Sequence, residues 1–476
     1  MTLSKAIESL SREELLVLVG ELLEQNRKLQ EEVSRLRRVI EELQAEKEQL
    51  KREGKKQAAP FSKGKCVKRR KRSGRKKGQG IFRYRELPLP EQITEAPVDV
   101  PVAKKVCPAC GGELKPERID FAYTTDLPER PKPKVTQYRI EVCCCRQCGK
   151  RVRGQHPAVA DDQAGATAHR LGDRVMATAH ALHYGLGVPM RKVPLILKEM
   201  TGVSLTQGAI MQDALGRAAG EIGGVYEQLR ASVKTSERVN TDDTGWKVGG
   251  KTAYLMAFDT VEATVYQIRS QHRNEEVREV VPADYLGVMS TDRGRSYDAQ
   301  ELQGIKQQKC IGHIQNSISK LLETQKGPAR NFGIKLKKLF KAAVKLWHGY
   351  RGGNVKSYEA KAERLKKQIT HHLRERALRD PDNQRLLKEL GKHHQRGNLL
   401  RFLDDPRIEP TNNRAEQALR PAVIARKISH CSKNDRGADT FAAFKSVTRK
   451  IMKAGNSIIE GLYAIFCSAK PQEIPP

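Results

Sequence analysis

The sequence predicts a multidomain α/β protein, in which a long helix, a cysteine-containing module and a helical domain precede a core of strands and helices. Three observations support this fold class: a heptad repeat of leucines near the start, two C-x-x-C pairs after it, and a change from helical to strand-like periodicity near residue 236. With 476 residues, the chain has room for about two to four domains, each with its own core.

The composition points to a polyanionic partner. There are 88 Lys and Arg residues against 56 Asp and Glu residues, which gives a formal net charge of +32. No apolar run approaches the roughly 18 residues that cross a bilayer, and the start of the chain lacks the apolar segment of a signal peptide. Ten cysteines, several of them adjacent, favour metal binding in a reducing cytosol over disulfides. We therefore expect a cytoplasmic protein without membrane segments.

Residues 1–54 are predicted to form a dimeric coiled coil. Leucines recur every seven residues, and the positions four residues later are mostly β-branched: Leu15, Leu22, Leu29, Leu36, Leu43 and Leu50, followed by Val19, Asn26, Val33, Ile40 and Lys47. Such a pattern favours a parallel two-stranded coil, and a buried asparagine pair fixes its register. The alternative is a single amphipathic helix that lies on its own domain.

Residues 55–100 are predicted to be a basic, flexible linker. The stretch from Lys51 to Gly80 holds 14 Lys and Arg residues, one acid and five glycines, so a continuous helix is not expected. We expect it to bind phosphates without reading sequence, through the run Lys68, Arg69, Arg70, Lys71 and Arg72. The alternative is a segment that only improves solubility.

Residues 101–158 are predicted to form a zinc ribbon-like module. Cys107 and Cys110 make one C-x-x-C pair, and Cys145 and Cys148 make another after 34 intervening residues. Four thiolates in two such pairs are typical of one structural, tetrahedral Zn²⁺ site. The neighbouring cysteines, at 143 and 144, leave open whether either of them takes part.

Residues 159–235 are predicted to be helical. The segment MRKVPLILKEMTGVSLTQGAIMQDAL is compatible with a helix-turn-helix, with Gly202 near the turn and Ser204 or Thr206 as a helix cap. An ordinary helical hairpin explains the same pattern. DNA binding by residues 159–235 is therefore one of two interpretations of this pattern.

Residues 236–318 are predicted to form the first part of a ribonuclease-H-like core. Three short strands are followed by a helix at NEEVREVV and by a buried strand that ends at Asp292, with KCIGHI as a fifth strand. Asp242 lies on the first of these strands. A carboxylate on the first strand and another at the end of the fourth is the arrangement by which such a core builds a metal site.

A third carboxylate, Glu416, lies in PTNNRAEQALRP. This segment is predicted to open a helix, with Asn413 as N-cap and Glu416 at the third helical position. A capping box with Asn413 and an ion pair with Arg420 explain Glu416 without any chemistry. Residues 319–405 are predicted to be a basic helical insertion, and residues 406–476 to complete the core with this helix and further C-terminal helices.

The chain resembles the transposases of insertion sequence family sixty-six, a bacterial DDE-type group. The resemblance rests on CPACGGEL with CRQC, VNTDDTGWKV, STDRGRSYDA, CIGHIQNSISK, and NNRAEQALRPAVIARK continuing into NDRGADTFAAFKSV. The order of parts also matches over nearly the whole chain. Gln315, Asn316 and Ser317 stand where the family tends to carry arginines, and Asp243 stands where it usually has Glu.

The resemblance implies a transposase that binds the ends of an insertion sequence and catalyses metal-dependent strand cleavage and transfer. Asp242, Asp292 and Glu416 would be catalytic and would hold two Mg²⁺ (or Mn²⁺) ions. Arg426 and Lys427 follow Glu416 on its helix and are expected to contact DNA phosphate; the alternative is a solvated basic turn. His313 would lie beside the metals or fill the core.

The implied partners are the element ends and target DNA, a second copy of the chain or a larger synaptic complex, and accessory proteins of the same element. The implied location is the bacterial cytoplasm, at the nucleoid. Two other functions stay open. A DNA-binding regulator or inactive transposase relic would bind without joining, and a structure-specific nuclease would cleave branched DNA without joining it.

Overall fold

The computed structural model describes residues 11–54, 87–103, 106–125, 127, 131–156, 159, 169–429 and 431–468. Contacts divide the chain into two units, Met1–Thr125 and Asp126–Pro476. The predicted basic run Lys68, Arg69, Arg70, Lys71 and Arg72 lies outside the described residues. Within the described residues, no helix is both long and apolar enough to cross a membrane.

The heptad segment of the first unit forms one continuous helix, α1 (Arg12–Gly54). Its leucines Leu22, Leu29 and Leu36 are 55%, 64% and 54% exposed. A leucine row along one helix is what a second helix covers in a coiled coil. The helix is therefore present as predicted, and its pairing stays a prediction.

The second unit begins with a small hairpin and a group of helices. The hairpin consists of β1 (Val142–Cys144) and β2 (Arg151–Arg153), which pair antiparallel. The helices are α2 (Asp173–His180), α3 (Val193–Thr201), α4 (Gln207–Ala219) and α5 (Glu221–Lys234).

The predicted turn between α3 and α4 is present with the predicted caps. Gly202 ends α3 with φ +76°, a left-handed conformation that glycine adopts without steric cost. Thr206 begins α4, and its side-chain oxygen accepts a hydrogen bond from the backbone N–H of Ala209 at 3.1 Å. These caps fit a helix-turn-helix and a helical hairpin equally well.

A five-stranded sheet forms the centre of the second unit, in the order β5-β4-β3-β6-β7. Its strands are β3 (Arg238–Val248), β4 (Lys251–Asp259), β5 (Thr264–Arg269), β6 (Val288–Thr291) and β7 (Lys306–Lys309). The strands β3, β4 and β5 form an antiparallel meander, whereas β6 and β7 run parallel to β3. The short helix α6 (Asn274–Arg278) precedes β6. The central position of β3 gives it neighbours on both sides.

The hairpin between β3 and β4 is set by two glycines. Gly249 and Gly250 have φ values of +56° and +81°. Two consecutive positive φ values are required by the tight turn whose twist matches that of the flanking strands. This turn fixes the register in which Asp242 lies opposite Ala257.

The fifth strand begins three residues earlier than predicted and ends at the first residue of the predicted segment. Strand β7 is the polar sequence KQQK, whereas CIGHI begins a helix, so the assignment of KCIGHI to a strand is wrong. The residues Gln307, Gln308 and Lys309 are buried although they are polar. Their polarity hid the strand, because the pattern that marks a buried strand is a run of apolar residues.

A helical insertion connects β7 to the last part of the core. Its helices are α7 (Ile311–Thr324), α8 (Arg330–Arg351), α9 (Tyr358–Leu373), α10 (Pro381–Gln395) and α11 (Arg401–Asp404). They share a hydrophobic core of their own, which includes Leu336, Phe340, Leu390 and Phe402. The insertion is therefore held together by its own core.

A buried polar group joins the insertion to the sheet. The Lys309 ammonium on β7 is 2.8 Å from a carboxylate oxygen of Asp298, and His393 Nε2 on α10 is 3.7 Å from the other one. Burial lowers the pKa of His393 to about 4, with Lys309 adding to the decrease and Asp298 opposing it. The folded protein therefore favours the neutral imidazole.

We expect this histidine to make the fold sensitive to acid. Its pKa is lower in the folded chain than in the unfolded chain, so stability falls as the pH drops below about 6.5, until the pH reaches about 4. Between pH 7 and pH 5 the loss from His393 amounts to about 1–2 kcal/mol. Urea unfolding at both pH values measures it, and His393→Gln should show a smaller loss. An equal loss in both proteins would contradict the assignment.

Three helices complete the core: α12 (Asn413–Ser429), α13 (Asp435–Lys453) and α14 (Ile458–Ser468). The strand β4 alternates between the two faces of the sheet. Leu255 and Ala257 pack with residues of α12, whereas Met256 and Phe258 pack with the cluster that includes α2–α5 and α14. Both faces of the sheet are thus covered by helices. Helix α12 packs on the face of β4 that carries Leu255 and Ala257.

Candidate active site

Two predicted site residues lie close together, one on β3 and the other directly after its neighbour β6. Strand β6 pairs with β3 in parallel, with Asn240 opposite Ser290. The same register, continued by two residues, brings Asp242 beside Asp292, and neighbouring strands are about 4.8 Å apart. A backbone N–H of Gly294 donates to Asp292 Oδ1 at 2.7 Å and fixes this carboxylate just after the strand. The parallel sheet therefore brings together two acids that are far apart in the sequence.

The electrostatics of Asp242 confirm that acids are close to it. The pKa of Asp242 is raised to about 7, chiefly by burial and further by the charges of Asp292 and Asp243. The backbone N–H of Asp243, which donates to Asp242 Oδ1 at 3.0 Å, and the charge of His313 act in the opposite direction. Negative charge is thus concentrated around the middle of β3, at the carboxyl end of its neighbour β6.

Glu416 lies near this end of the sheet, in the first turns of α12. Its carboxylate is half-exposed, and its Oε1 is 3.9 Å from Nε2 of His313 on α7. The helix starts one position earlier than predicted, since Asn413 is already helical and the backbone N–H of Glu416 donates to Asn412 O at 3.2 Å. The prediction of Asn413 as N-cap was therefore wrong by one residue. The physical reason is that Asn412, not Asn413, is fixed against the sheet.

His313 is half-exposed and carries positive charge into the acidic cluster. Its hydrogen bond with Cys310 raises its pKa to about 9, burial opposes this, and the charges of Cys310, Glu416 and Asp242 add to the increase. Burial raises the pKa of the Cys310 thiol, but its hydrogen bonds with His313 and with the backbone of Asn412 lower it by more. Of the two alternatives for His313, the structure favours the place beside the carboxylates.

Asn412 connects the elements that carry these groups. Its side chain is fully buried; the amide Nδ2 donates to Thr241 O at 2.7 Å, and the Oδ1 accepts from Asn240 Nδ2 at 3.1 Å. Its backbone N–H donates to Cys310 Sγ at 3.2 Å. One residue therefore joins β3 beside Asp242, the start of α7 and the start of α12.

A second anchor fixes α12 to the end of β4. The guanidinium of Arg414 donates to Asp259 Oδ2 at 3.2 Å, and the ammonium of Lys453 donates to Asp259 Oδ1 at 2.6 Å. Thr264 adds a hydroxyl bond to the same carboxylate. Asp259 is buried, so two cations on α12 and α13 share one buried acid.

The two predicted phosphate contacts differ in their surroundings. Arg426 reaches back to β3, where it donates to Thr244 Oγ1 at 3.2 Å and to the backbone carbonyl of Gly245. Lys427 is exposed. Arg426 therefore has a structural contact in addition to the role predicted for it, whereas the ammonium of Lys427 lies at the surface.

The chemistry of the acidic cluster fits a divalent cation. Asp242, Asp292 and Glu416 offer carboxylate oxygens, which are the ligands that Mg²⁺ and Mn²⁺ prefer. Burial is the main cause of the raised pKa of Asp242, and the charges of Asp292 and Asp243 add to the increase. Among the described residues, no three His, Cys, Asp or Glu side chains are already arranged around one metal position. The carboxylates therefore converge on one region without forming a closed set of ligands.

The two C-x-x-C pairs adopt the same turn. In each, the backbone N–H of the first cysteine donates to the carbonyl five residues later, and the glycine four residues later donates back, at 2.8–2.9 Å. Those glycines, Gly111 and Gly149, have φ values of +76° and +69°. Backbone hydrogen bonds within the turns lower the pKa of Cys107 and of Cys145, which favours thiolates. The shared zinc ion stays a prediction, because neither turn has a third ligand of this kind in the described residues.

The sequence did not reveal Asn412 or Asp259 as parts of the site. The two adjacent asparagines of NNRAE were the available signal for Asn412, but they do not tell which of the two is buried. For Asp259 there was no signal, since its partner Arg414 lies 155 residues further along the chain.

The sequence of the chain is similar to those of known proteins. The model of the family described as "Transposase IS66 family" matches residues 169–440. An uncharacterized protein, y4hP, of Sinorhizobium fredii (strain NBRC 101917 / NGR234) is 23% identical over 380 residues, which cover 72% of this chain and 66% of that protein. The chain thus spans slightly less than two thirds of the length of that relative.

A solved structure of the HTLV-2 integrase catalytic core domain in complex with magnesium (trimeric form) aligns with 31% of this chain and 91% of that chain. Its TM-score is 0.14 at 14% identity, which is too low to support an argument. The family match extends over more than half of the chain and contains all three predicted catalytic carboxylates. This protein therefore belongs to the IS66 family of transposases.

Proposed function

We propose that the protein is a DDE-type transposase, which binds the ends of an insertion sequence and catalyses metal-dependent DNA strand cleavage and strand transfer. The observation that carries this proposal is the convergence of Asp242, Asp292 and Glu416 in a chain of a transposase family. Asp242 lies on β3, Asp292 directly follows the parallel strand β6, and Glu416 lies on a helix that Asn412 anchors to β3.

We propose further that the sheet is a ribonuclease-H-like catalytic core. The support is its strand order, β5-β4-β3-β6-β7, with an antiparallel meander followed by two strands parallel to the first. In this order the central strand, β3, carries Asp242, and Asp292 directly follows its parallel neighbour, β6. The helical insertion between β7 and α12 then separates Glu416 from the two aspartates in sequence but not in space.

In the proposed mechanism, the carboxylates of Asp242, Asp292 and Glu416 would together hold two Mg²⁺ or Mn²⁺ ions. The ions, when bound, activate the attacking oxygen and stabilise charge on the leaving oxygen. By holding these cations, the carboxylates would let a DNA phosphate approach an acidic cluster that would otherwise repel it. His313 would present an N–H and a positive charge at the same place, because its raised pKa keeps the imidazole protonated near neutral pH.

Further parts of the chain would bind DNA and assemble the complex. The run from Lys68 to Arg72, together with Arg426 and Lys427, would contact phosphates. One structural Zn²⁺ held by Cys107, Cys110, Cys145 and Cys148 would stabilise the cysteine module, and α1 would pair two chains. A protein that moves chromosomal DNA would work at the nucleoid, alone or with accessory proteins of its element. Each of these statements is a proposal that follows from the function.

A joining assay tests the function. It combines purified protein, DNA with the element's ends and a supercoiled target, in Mg²⁺ or in EDTA. We expect joined products that require metal and that are reduced at least about 100-fold in Glu416→Gln, because a metal ligand is lost. The matched control is Glu323→Gln, an exposed acid on α7.

The alternatives give different results in the same assay. A regulator or inactive relic would bind the ends with no joined product, and Glu416→Gln would change nothing. A structure-specific nuclease would cleave branched DNA without joining it. Either pattern would reject the proposed function.

A further inference from the structure

A cavity of about 510 Å³ opens in the helical insertion, away from the carboxylates described above. It lies at the first turn of α8, the end of α9 and the loop that leads to α10. Its volume falls within the range of roughly 300–1,000 Å³ that small-molecule sites occupy. The cations that line it are Lys335, Arg374, Arg376 and Arg379. The cavity therefore has the size and the charge to bind an anionic group.

Most of this positive charge is not compensated within the protein. Lys335, Arg374 and Arg379 have no ion-pair partner among the described residues. The one acid in the lining, Asp380, is the N-cap of α10 and accepts hydrogen bonds from the backbone of Asn383 at 2.8 Å and from Gln325 at 2.7 Å. The first turn of α8 also lines the cavity, and the positive end of a helix dipole favours anions.

A buried amide adds a second requirement for the ligand. Asn383 lines the cavity and is 3% exposed; its Nδ2 donates to Ala329 O at 2.7 Å. Its Oδ1 has no hydrogen-bond partner in the described part of the chain. A buried acceptor without a partner is costly, and a ligand that donates an N–H would satisfy it. Hydrogen phosphate could donate an O–H to this acceptor, whereas the base of a nucleotide donates an N–H and also brings a ring that fits the apolar part of the lining.

We propose that this cavity binds one nucleotide of a DNA strand, with its phosphate on Arg374 and Arg379 and its base donating to Asn383. The apolar part of the lining, Pro328, Phe332 and Leu378, would cover the base and sugar. A base edge is free in a single strand and paired in a duplex, so the site selects single-stranded DNA. The inference rests on the proposed function, in which strand cleavage releases such ends.

The test measures the binding of a short, fluorescein-labelled single strand by anisotropy, in EDTA and over a range of salt concentrations. The double variant Arg374→Gln/Arg379→Gln should bind several-fold more weakly. Its slope of log K against log salt should fall by roughly 0.7–1.4, since each lost phosphate contact on a single strand removes about 0.7. The matched control is Arg364→Gln/Lys367→Gln, two exposed cations on α9 with the same change in charge.

A second variant blocks the cavity without changing its charge. Asn331 is an exposed residue of the lining, and Asn331→Trp places a large ring there. We expect this variant to weaken the binding of the single strand and to leave the binding of a duplex of the same sequence unchanged. Cooperative thermal unfolding of each variant shows that it is folded.

Three outcomes would overturn the proposal. Equal losses in the Arg374/Arg379 variant and in its control would show general charge attraction. Full binding of the single strand by Asn331→Trp would show that the cavity is not used. Competition by pyrophosphate as effective as that by unlabelled strand would show a site for free phosphates. Because no metal or joining is involved, the result is independent of the joining assay.

Discussion

Replacing Asp259 by asparagine should lower the free energy of unfolding by about 3 kcal/mol or more. The substitution keeps the size of the side chain but removes the charge that Arg414 and Lys453 share. Breaking a buried ion pair by removing one partner costs about 3–5 kcal/mol, because the remaining charges stay buried without compensation. Arg414 and Lys453 also donate hydrogen bonds to Thr260 O, and these bonds remain in the variant. We therefore expect a loss of stability near the lower limit of this range. Urea unfolding followed by circular dichroism measures it.

The same β4–β5 hairpin offers a matched control. Glu262 is exposed and lies 3.5 Å from Lys450 on α13. Glu262→Gln should cost less than about 1 kcal/mol, since exposed ion pairs contribute little. Asp259→Asn should also reduce joining, because Arg414 is two residues from Glu416 on α12. A loss of stability no larger than that of Glu262→Gln would contradict the role of Asp259 as an anchor.

Replacing Asn412 by alanine should reduce joining about 100-fold, the cost of a displacement of about 1 Å at a catalytic group. The side chain bonds to Thr241 O and to Asn240, so its loss frees the start of α12 from the strand that carries Asp242. The unfolding free energy should fall by about 1–3 kcal/mol, as for buried groups left without partners. The assay measures joining over a range of Mg²⁺ concentrations, and half-maximal joining should need more Mg²⁺.

Binding of the element ends should not change in this variant, since Asn412 is fully buried. The matched control is Asn398→Ala, a buried asparagine in the insertion that is not bonded to β3. If both variants lost joining to the same degree, with the same need for Mg²⁺, Asn412 would have only a general role in stability.

The strands that carry the aspartates could be predicted because their signals are local. VNTDDTGWKV alternates as a half-buried strand does. VMST is a short segment, and it is followed by Asp292 and the turn residues RGR. The strand β7 could not be predicted, because Gln307, Gln308 and Lys309 are polar and are buried only through tertiary hydrogen bonds. Whether such a polar segment forms a buried strand depends on its tertiary contacts and not on its residue types.

The place of Glu416 near the two aspartates could be predicted only from the resemblance. Glu416 is explained locally as an ordinary acid at a helix start, and its place near Asp242 depends on Asn412, which bonds across about 170 residues of sequence. The sequence predicts a strand for His313, but the residue lies on α7. There it is hydrogen-bonded to Cys310, and its Nε2 is 3.9 Å from Glu416 Oε1. Contacts of this kind are set by the packed fold.

We expect the carboxylates at this end of the sheet to hold the metal ions of the reaction. The most direct measurement is joining by Asp292→Cys in Mg²⁺ and in Mn²⁺. A thiolate is a poor ligand for Mg²⁺ and a better one for Mn²⁺. We predict no joined product with Mg²⁺ and a partial return of joining with Mn²⁺. Joining at the wild-type rate in Mg²⁺ would contradict the claim.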